Sequence, residues 1–189
     1  MLYLLLLFFG PSGIPGDELP VSADRICQIQ RAIRWKNPPM SEATCEKIAG
    51  ALAKTATPNL LFAMMINESD IRPHTMLIAS ETVRDIGAIG IRCVLGARGK
   101  CVSGVAAGYT PAQLLDPVVN IALAEKTLVR KRYNLQHYNG GTREHGYQER
   151  IRAIMSALAG VLVPSKTPRM KKLTRRIVTV VREAAHVSK

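Results

Sequence analysis

A chain of 189 residues is long enough for one domain with a hydrophobic core and too short for two large domains joined by linkers. With 47% hydrophobic and 21% charged residues, its composition is globular and excludes an intrinsically disordered chain. The formal net charge of +12 favours an anionic partner and leaves nucleic acid, a membrane surface and a wall rich in carboxylates or phosphates open.

In chain order, Met1 to Phe9 is apolar apart from the Tyr3 hydroxyl, and Gly10-Pro11-Ser12-Gly13 then breaks any helix. The run is well short of the roughly 20 residues that span a bilayer, so it predicts a signal-peptide core and an exported protein, secreted or periplasmic. With the small-residue site Val21-Ser22-Ala23 as its end, the leader is assigned to 1–23. Ala23 to Trp35 is amphipathic and Lys36-Asn37-Pro38-Pro39 interrupts it, which predicts an N-terminal extension over 24–40.

Ser41 reads as a helix N-cap, followed by Ile48, Ala49, Leu52, Ala53 and Ala56 at helical spacing. Pro58 opens a second helix over Asn59 to Ser69, whose Leu60 to Ile66 run is almost unbroken apolar and predicts a core helix. The stretch 71–108 carries several glycines and little periodicity, so loops and short helical turns are expected there. Asp116 as cap with Pro117 at the first helical position predicts a helix through Tyr133, and a third clear helix runs from Tyr147 to Leu162. Beyond Pro164 there are eight Lys or Arg against one Glu, which gives +7 of the +12. Leu173, Ile177, Val180, Val181 and Ala184 recur at helical spacing, so 163–189 is expected to be a basic amphipathic tail, either solvated or adhering to an anionic wall polymer or membrane surface.

Four cysteines, Cys27, Cys45, Cys93 and Cys101, suit an oxidising compartment because an even count permits complete pairing. Their order suggests the local loops Cys27 to Cys45 and Cys93 to Cys101, with the other two connectivities open. There is no CxxC pair. His74, His137, His145 and His186 lack zinc-ligand spacing, no Gly-rich phosphate loop occurs, and Ser69 and Ser103 sit in no nucleophile elbow. No metal and no cofactor is expected. Low aromatic content, at 5%, and the absence of zinc-finger or RNP patterns argue against nucleic acid.

Glu68 ends the most apolar helix, in Met65-Ile66-Asn67-Glu68-Ser69. Burial there disfavours its charged form, and a glutamic acid that keeps its proton near neutral pH is what glycosidic cleavage requires. The handling of such a carboxyl in lysozyme is the well-known precedent. Taken alone, the residue fits a solvent-facing helix end better than a catalytic acid. Its context adds a Gly87-Ala88-Ile89-Gly90-Ile91 segment, the Asp116-Pro117-x-x-Asn120-Ile121 helix start and Tyr138-Asn139-Gly140-Gly141, in that order.

This order resembles the soluble lytic transglycosylases of the goose-type lysozyme superfamily, over Ser41 to Leu162. In that family a helix ends in Glu-Ser and is followed by a Gly-Leu-Met-Gln segment, an Asp-Pro-x-x-Asn-Ile helix start and an Ala-Tyr-Asn-x-Gly loop. The resemblance implies a mostly α, lysozyme-like single domain over 41–162 with an irregular, loop-rich cleft wall. It makes Glu68 the single acid and base of a peptidoglycan lytic transglycosylase acting on glycan strands. Ser69 would orient Glu68 or the substrate, Tyr138 and Asn139 would bind substrate near the scissile bond with Tyr138 reaching the catalytic carboxyl, and Gly90, Ile91, Arg92 and Cys93 would form the cleft wall. The chain departs from the family where Arg92-Cys93 stands for Met-Gln and where His137 precedes Tyr138 in place of alanine. Cys93 thus replaces the sugar-contacting glutamine, and Arg92 is expected either to meet a peptide-stem carboxylate or acetamido group or to point unpartnered into solvent.

The implied reaction is non-hydrolytic and leaves 1,6-anhydro ends. A hydrolysing lysozyme would add a second carboxylate, for which Asp70, Glu81 and Asp85 are candidates. A glycan-binding or assembly protein without activity is the remaining reading.

Overall fold

The computed structural model describes residues 21–33, 39–135 and 146–161. The leader residues 1–20, the Tyr138-Asn139-Gly140-Gly141 motif and the basic tail lie outside the described residues. Those described form a mostly helical unit with one small sheet: α1 (Ala23–Ile33), α2 (Glu42–Leu52), α3 (Pro58–Ser69), β1 (Met76–Ile78), β2 (Val83–Ile86), β3 (Ile91–Val94), a 3-10 turn (Gly104–Ala106), α4 (Pro111–Leu114), α5 (Pro117–Arg130) and α6 (Tyr147–Val161).

The caps read from the sequence are present. The Ser41 hydroxyl accepts the Thr44 amide at 3.3 Å at the start of α2, and Asp116 accepts Val118 N at 2.8 Å ahead of Pro117. Because α3 is apolar on every side, it must be covered on every side. Leu60, Leu61, Phe62, Met64, Met65 and Ile66 are fully buried, and each such side chain contributes about 1.5–3 kcal/mol through removal from water. Helices α2, α5 and α6 supply that cover.

Helix α1 belongs to this body and is not an extension. The disulfide Cys27–Cys45 ties it to α2, while Val21, Ile26 and Ile29 join the common core and Ser22 caps its first turn. The second disulfide, Cys93–Cys101, pins β3 to the loop that follows it. Both bonds link the cysteines that are neighbours in sequence order.

The expectation of loops and helical turns over 71–108 is corrected by the antiparallel sheet β1-β2-β3. Its register pairs Leu77 with Asp85 and Asp85 with Arg92, so these three side chains share one face. Strands of three or four residues are too short to show a period of two convincingly, and two of the six glycines that suggested loops, Gly87 and Gly90, lie in the β2–β3 turn.

That turn, Gly87 to Gly90, is held on the body by Asn120 of α5, which is completely buried. Its side-chain oxygen accepts Ile89 N at 2.9 Å, and its amide donates to Ile86 O at 2.8 Å and to Leu114 O at 3.0 Å. Gly87 is required beside it: its φ is +83°, and a Cβ there would collide with the Asn120 amide and the Leu114 carbonyl. Replacing Asn120 by alanine strands one buried N–H and two buried carbonyls. The expected cost is about 3 kcal/mol or more of unfolding free energy by denaturant titration, given roughly 1–3 kcal/mol for each group left unsatisfied. A loss below about 1 kcal/mol would show that the turn is held by other means.

Candidate active site

Glu68 sits in the last turn of α3, where the chain leaves the core and doubles back. Asp70 and Ile71 adopt left-handed backbone, at φ 52° and 59°, which is unusual for aspartate and a marked outlier for a β-branched residue. The conformation is held by Asp70 N bonding Ile66 O and Ile71 N bonding Met65 O, both at 3.2 Å, and by complete burial of the Ile71 side chain. Such backbone costs of order 1–3 kcal/mol per residue, and it persists where the surroundings over-determine it. Its effect is to stop α3 at Ser69, leaving Glu68 at the helix end beside the β2–β3 turn.

Ser69 does not face outward. It is 2% exposed, its hydroxyl reaches Ala88 O at 2.8 Å and Met65 O at 3.2 Å, and it accepts Arg72 N at 3.0 Å. With its hydrogen-bonding capacity spent inside the fold, it fastens the β2–β3 turn to α3. The turn is therefore gripped by Ser69 from one side and by Asn120 from the other.

This grip brings Gly90 to Glu68. At Gly90, with φ +61°, the position a Cβ would take lies 3.5 Å from Glu68 Oε2 and 4.0 Å from Asp85 Cβ. A side chain there would stand directly beside the carboxyl. Asp85, on β2, is close enough for its charge to act on Glu68.

From the other direction α6 packs on α3. The hydroxyl of buried Tyr147 faces the Glu68 carboxyl and favours its charged form, Asn67 Nδ2 donates to Glu68 Oε1 at 3.5 Å, and Arg150 Nε donates to Asn67 Oδ1 at 3.3 Å. Arg150 also lies over the Tyr147 ring, 5.9 Å from its centroid. Tyr147, Arg150 and Asn67 are site residues that motif reading passed over. The signal for Tyr147 was its place at the start of a helix whose apolar face packs on α3.

The Glu68 side chain is open to solvent on one side and crowded by protein on the other. Its pKa is raised, above all by desolvation and further by the negative charge of Asp85. The Tyr147 hydroxyl, Asn67 and the charge of Arg150 act in the opposite direction and do not overcome the rise.

The remaining sequence-derived positions separate. Ile91 is buried in β3. Cys93 is fully buried and bonded to Cys101, so it offers no thiol to a ligand and does not take over the contact made by the family's glutamine. Arg92 is exposed but not unpartnered: its Nε and Nη2 grip Asp85 Oδ1 and Oδ2 at 2.9 and 3.0 Å. Of the other carboxylates considered, only Asp85 among the described residues acts on Glu68. Tyr138 and Asn139 lie outside the described residues. Comparison with known proteins finds no matching family model, no matching curated protein and no matching solved structure.

A carboxyl whose folded-state pKa exceeds its unfolded-state value binds its proton more tightly in the native state. It therefore lowers stability as pH rises through the interval between the two values. Glu68→Gln is expected to melt at a higher temperature than the parent at about pH 8, with the difference shrinking towards zero at about pH 4. A stabilisation that grows on acidification would contradict the raised pKa.

Proposed function

We propose that this protein is a peptidoglycan lytic transglycosylase with a lysozyme-like fold, exported and working with Glu68 as its single acid and base. The observation that carries the reading is the balance at Glu68. Desolvation and Asp85 favour the protonated acid, while Tyr147, Asn67 and Arg150 favour the carboxylate. A group that must donate a proton and then take one back needs both forms accessible at one pH.

In the first step Glu68 protonates the oxygen linking N-acetylmuramic acid to N-acetylglucosamine, and the C1–O bond breaks. Positive charge developing at C1 is stabilised by the oxygen of the substrate's own acetamido group. The Glu68 carboxylate left behind accepts a hydrogen bond from Asn67 and is favoured by the nearby Tyr147 hydroxyl. It then removes the proton of the muramic acid C6 hydroxyl, whose oxygen closes on C1 to give the 1,6-anhydro end. Protons balance, and no water is consumed.

Gly90 fits a substrate-facing role because its bare backbone leaves the approach to Glu68 open. By the resemblance, Tyr138 and Asn139 complete the sugar contacts. Two disulfides accord with an oxidising, extracytoplasmic site of action. Among the described residues no helix is long and apolar enough to cross a membrane. The basic tail would add attraction to an anionic wall polymer or membrane surface.

A hydrolytic lysozyme is the second reading, and Asp85 is the observation that favours it, since a carboxylate across from the acid is what activates a water. Digestion of purified sacculi by the parent and by Glu68→Gln, read by mass spectrometry of the released muropeptides, tests both. The parent is expected to release anhydro ends, and the variant to lose activity by about 100-fold or more. Reducing ends would establish the hydrolase, and equal release by both proteins would remove Glu68 from the chemistry.

A further inference from the structure

Glu68 has one carboxylate opposite it among the described residues, and that carboxylate is already held. Asp85 lies across Gly90 from Glu68 and acts on its charge. In an inverting glycosidase a second carboxylate, about 6.5–9.5 Å from the acid, takes the proton of an attacking water. Here both Asp85 oxygens are engaged by one guanidinium, Nε to Oδ1 at 2.9 Å and Nη2 to Oδ2 at 3.0 Å. The two residues are directly paired across β2 and β3, so the strand register itself holds them face to face.

Resting on the reading of Glu68 given above, we propose that Arg92 is an outcome-determining residue. By gripping Asp85 at both oxygens it withholds the second carboxylate from water and directs the reaction to the anhydro product.

An exposed ion pair is usually worth little, and a bidentate arginine–carboxylate pair is the geometry in which it counts for more. A large stabilisation is not required. The guanidinium has only to compete with a single water for the same oxygens, in a site where the C6 hydroxyl is an intramolecular rival to that water and enjoys a high effective concentration. Arg92 is 66% exposed along its side chain and Asp85 only 20%, so the arginine is the more open partner of the pair. Lysine could not substitute, because a single ammonium cannot span two oxygens in this way.

Releasing Asp85 would open the hydrolytic route. The oxygen of a water bonds to C1 as the glycosidic C1–O bond breaks, one water proton passes to Asp85, and the leaving oxygen takes the proton of Glu68. Asp85 then returns its proton to solvent, and Glu68 is reprotonated from solvent.

The test is digestion of sacculi in water enriched in heavy oxygen by the full chain, by Arg92→Met, by Arg92→Lys and by the double variant Arg92→Met with Asp85→Asn. Near-ultraviolet circular dichroism confirms that each is folded, and mass spectrometry reads labelled reducing ends against unlabelled anhydro ends. For Arg92→Met the ratio of reducing to anhydro ends is expected to rise about tenfold or more, with a smaller rise for Arg92→Lys and a return to the parent ratio in the double variant. The lysine variant keeps a positive charge on the strand and so reports even if the methionine variant does not fold. Unchanged ratios in both single variants would overturn the proposal, as would a rise that survives Asp85→Asn. Mainly labelled reducing ends from the parent would also overturn it while leaving cleavage by Glu68 intact. If the parent cuts nothing but Arg92→Met releases labelled ends, the transglycosylase reading fails, and with it the steering to the anhydro product, while the withholding of Asp85 by Arg92 stands; if none of the proteins cuts, all fall.

Discussion

The site depends on how the Gly87 to Gly90 turn is fastened. Ser69 at the end of α3 and Asn120 in α5 hold it between them, through the carbonyls of Ala88 and Ile86 and the amide of Ile89. All of these groups are buried or part of a buried contact, so leaving any one unpaired is more costly than the bond itself is favourable. The turn is therefore fixed in place relative to two helices of the core. Through it the small sheet, which has little core of its own, inherits the rigidity of the helical body. Gly90 and Asp85 reach fixed positions beside Glu68 for this reason, with Arg92 paired to Asp85.

The same arrangement sets the electrostatics of Glu68. The turn crowds its carboxyl from one side and places Asp85 nearby, while α6 brings Tyr147 and Arg150 from the other. These influences oppose each other, and desolvation is the largest of them, so the proton is held more tightly than in an ordinary glutamate. The left-handed backbone at Asp70 and Ile71 is a cost borne in the same place, since it lets the chain end α3 just beyond Glu68 and turn towards the sheet. Stability is spent here on a geometry that a helix end pointing into solvent would not require.

Much of the helical fold was legible in the sequence because its signals are local. Ser41, Asp116 and Pro117 mark helix starts by their own chemistry, and the unbroken apolar run of α3 declares a buried helix whatever surrounds it. The four-residue α4 was missed although Thr110 and Gln113 form a capping box, because so short a helix has no periodicity to draw attention to it. The sheet was missed for a related reason: its order comes from cross-strand pairing between segments that are individually too short to signal it. Glu68 could be picked out by its position and context. Ser69 and Asn120 stood in motifs that the sequence singled out, but their work, which is to hold the turn, is visible only once α3 and α5 flank it. Tyr147 and Arg150 meet Glu68 through tertiary packing across a long sequence separation, and no local pattern encodes that.

That Glu68 holds its proton more tightly than an ordinary glutamate is the point on which the site turns. Its direct test is a pH titration of the Glu68 side-chain carboxyl by carbon-13 NMR in the full chain, assigned by comparison with Glu68→Gln. The account predicts a midpoint clearly above that of the chain's exposed glutamates. A midpoint at or below theirs would contradict it.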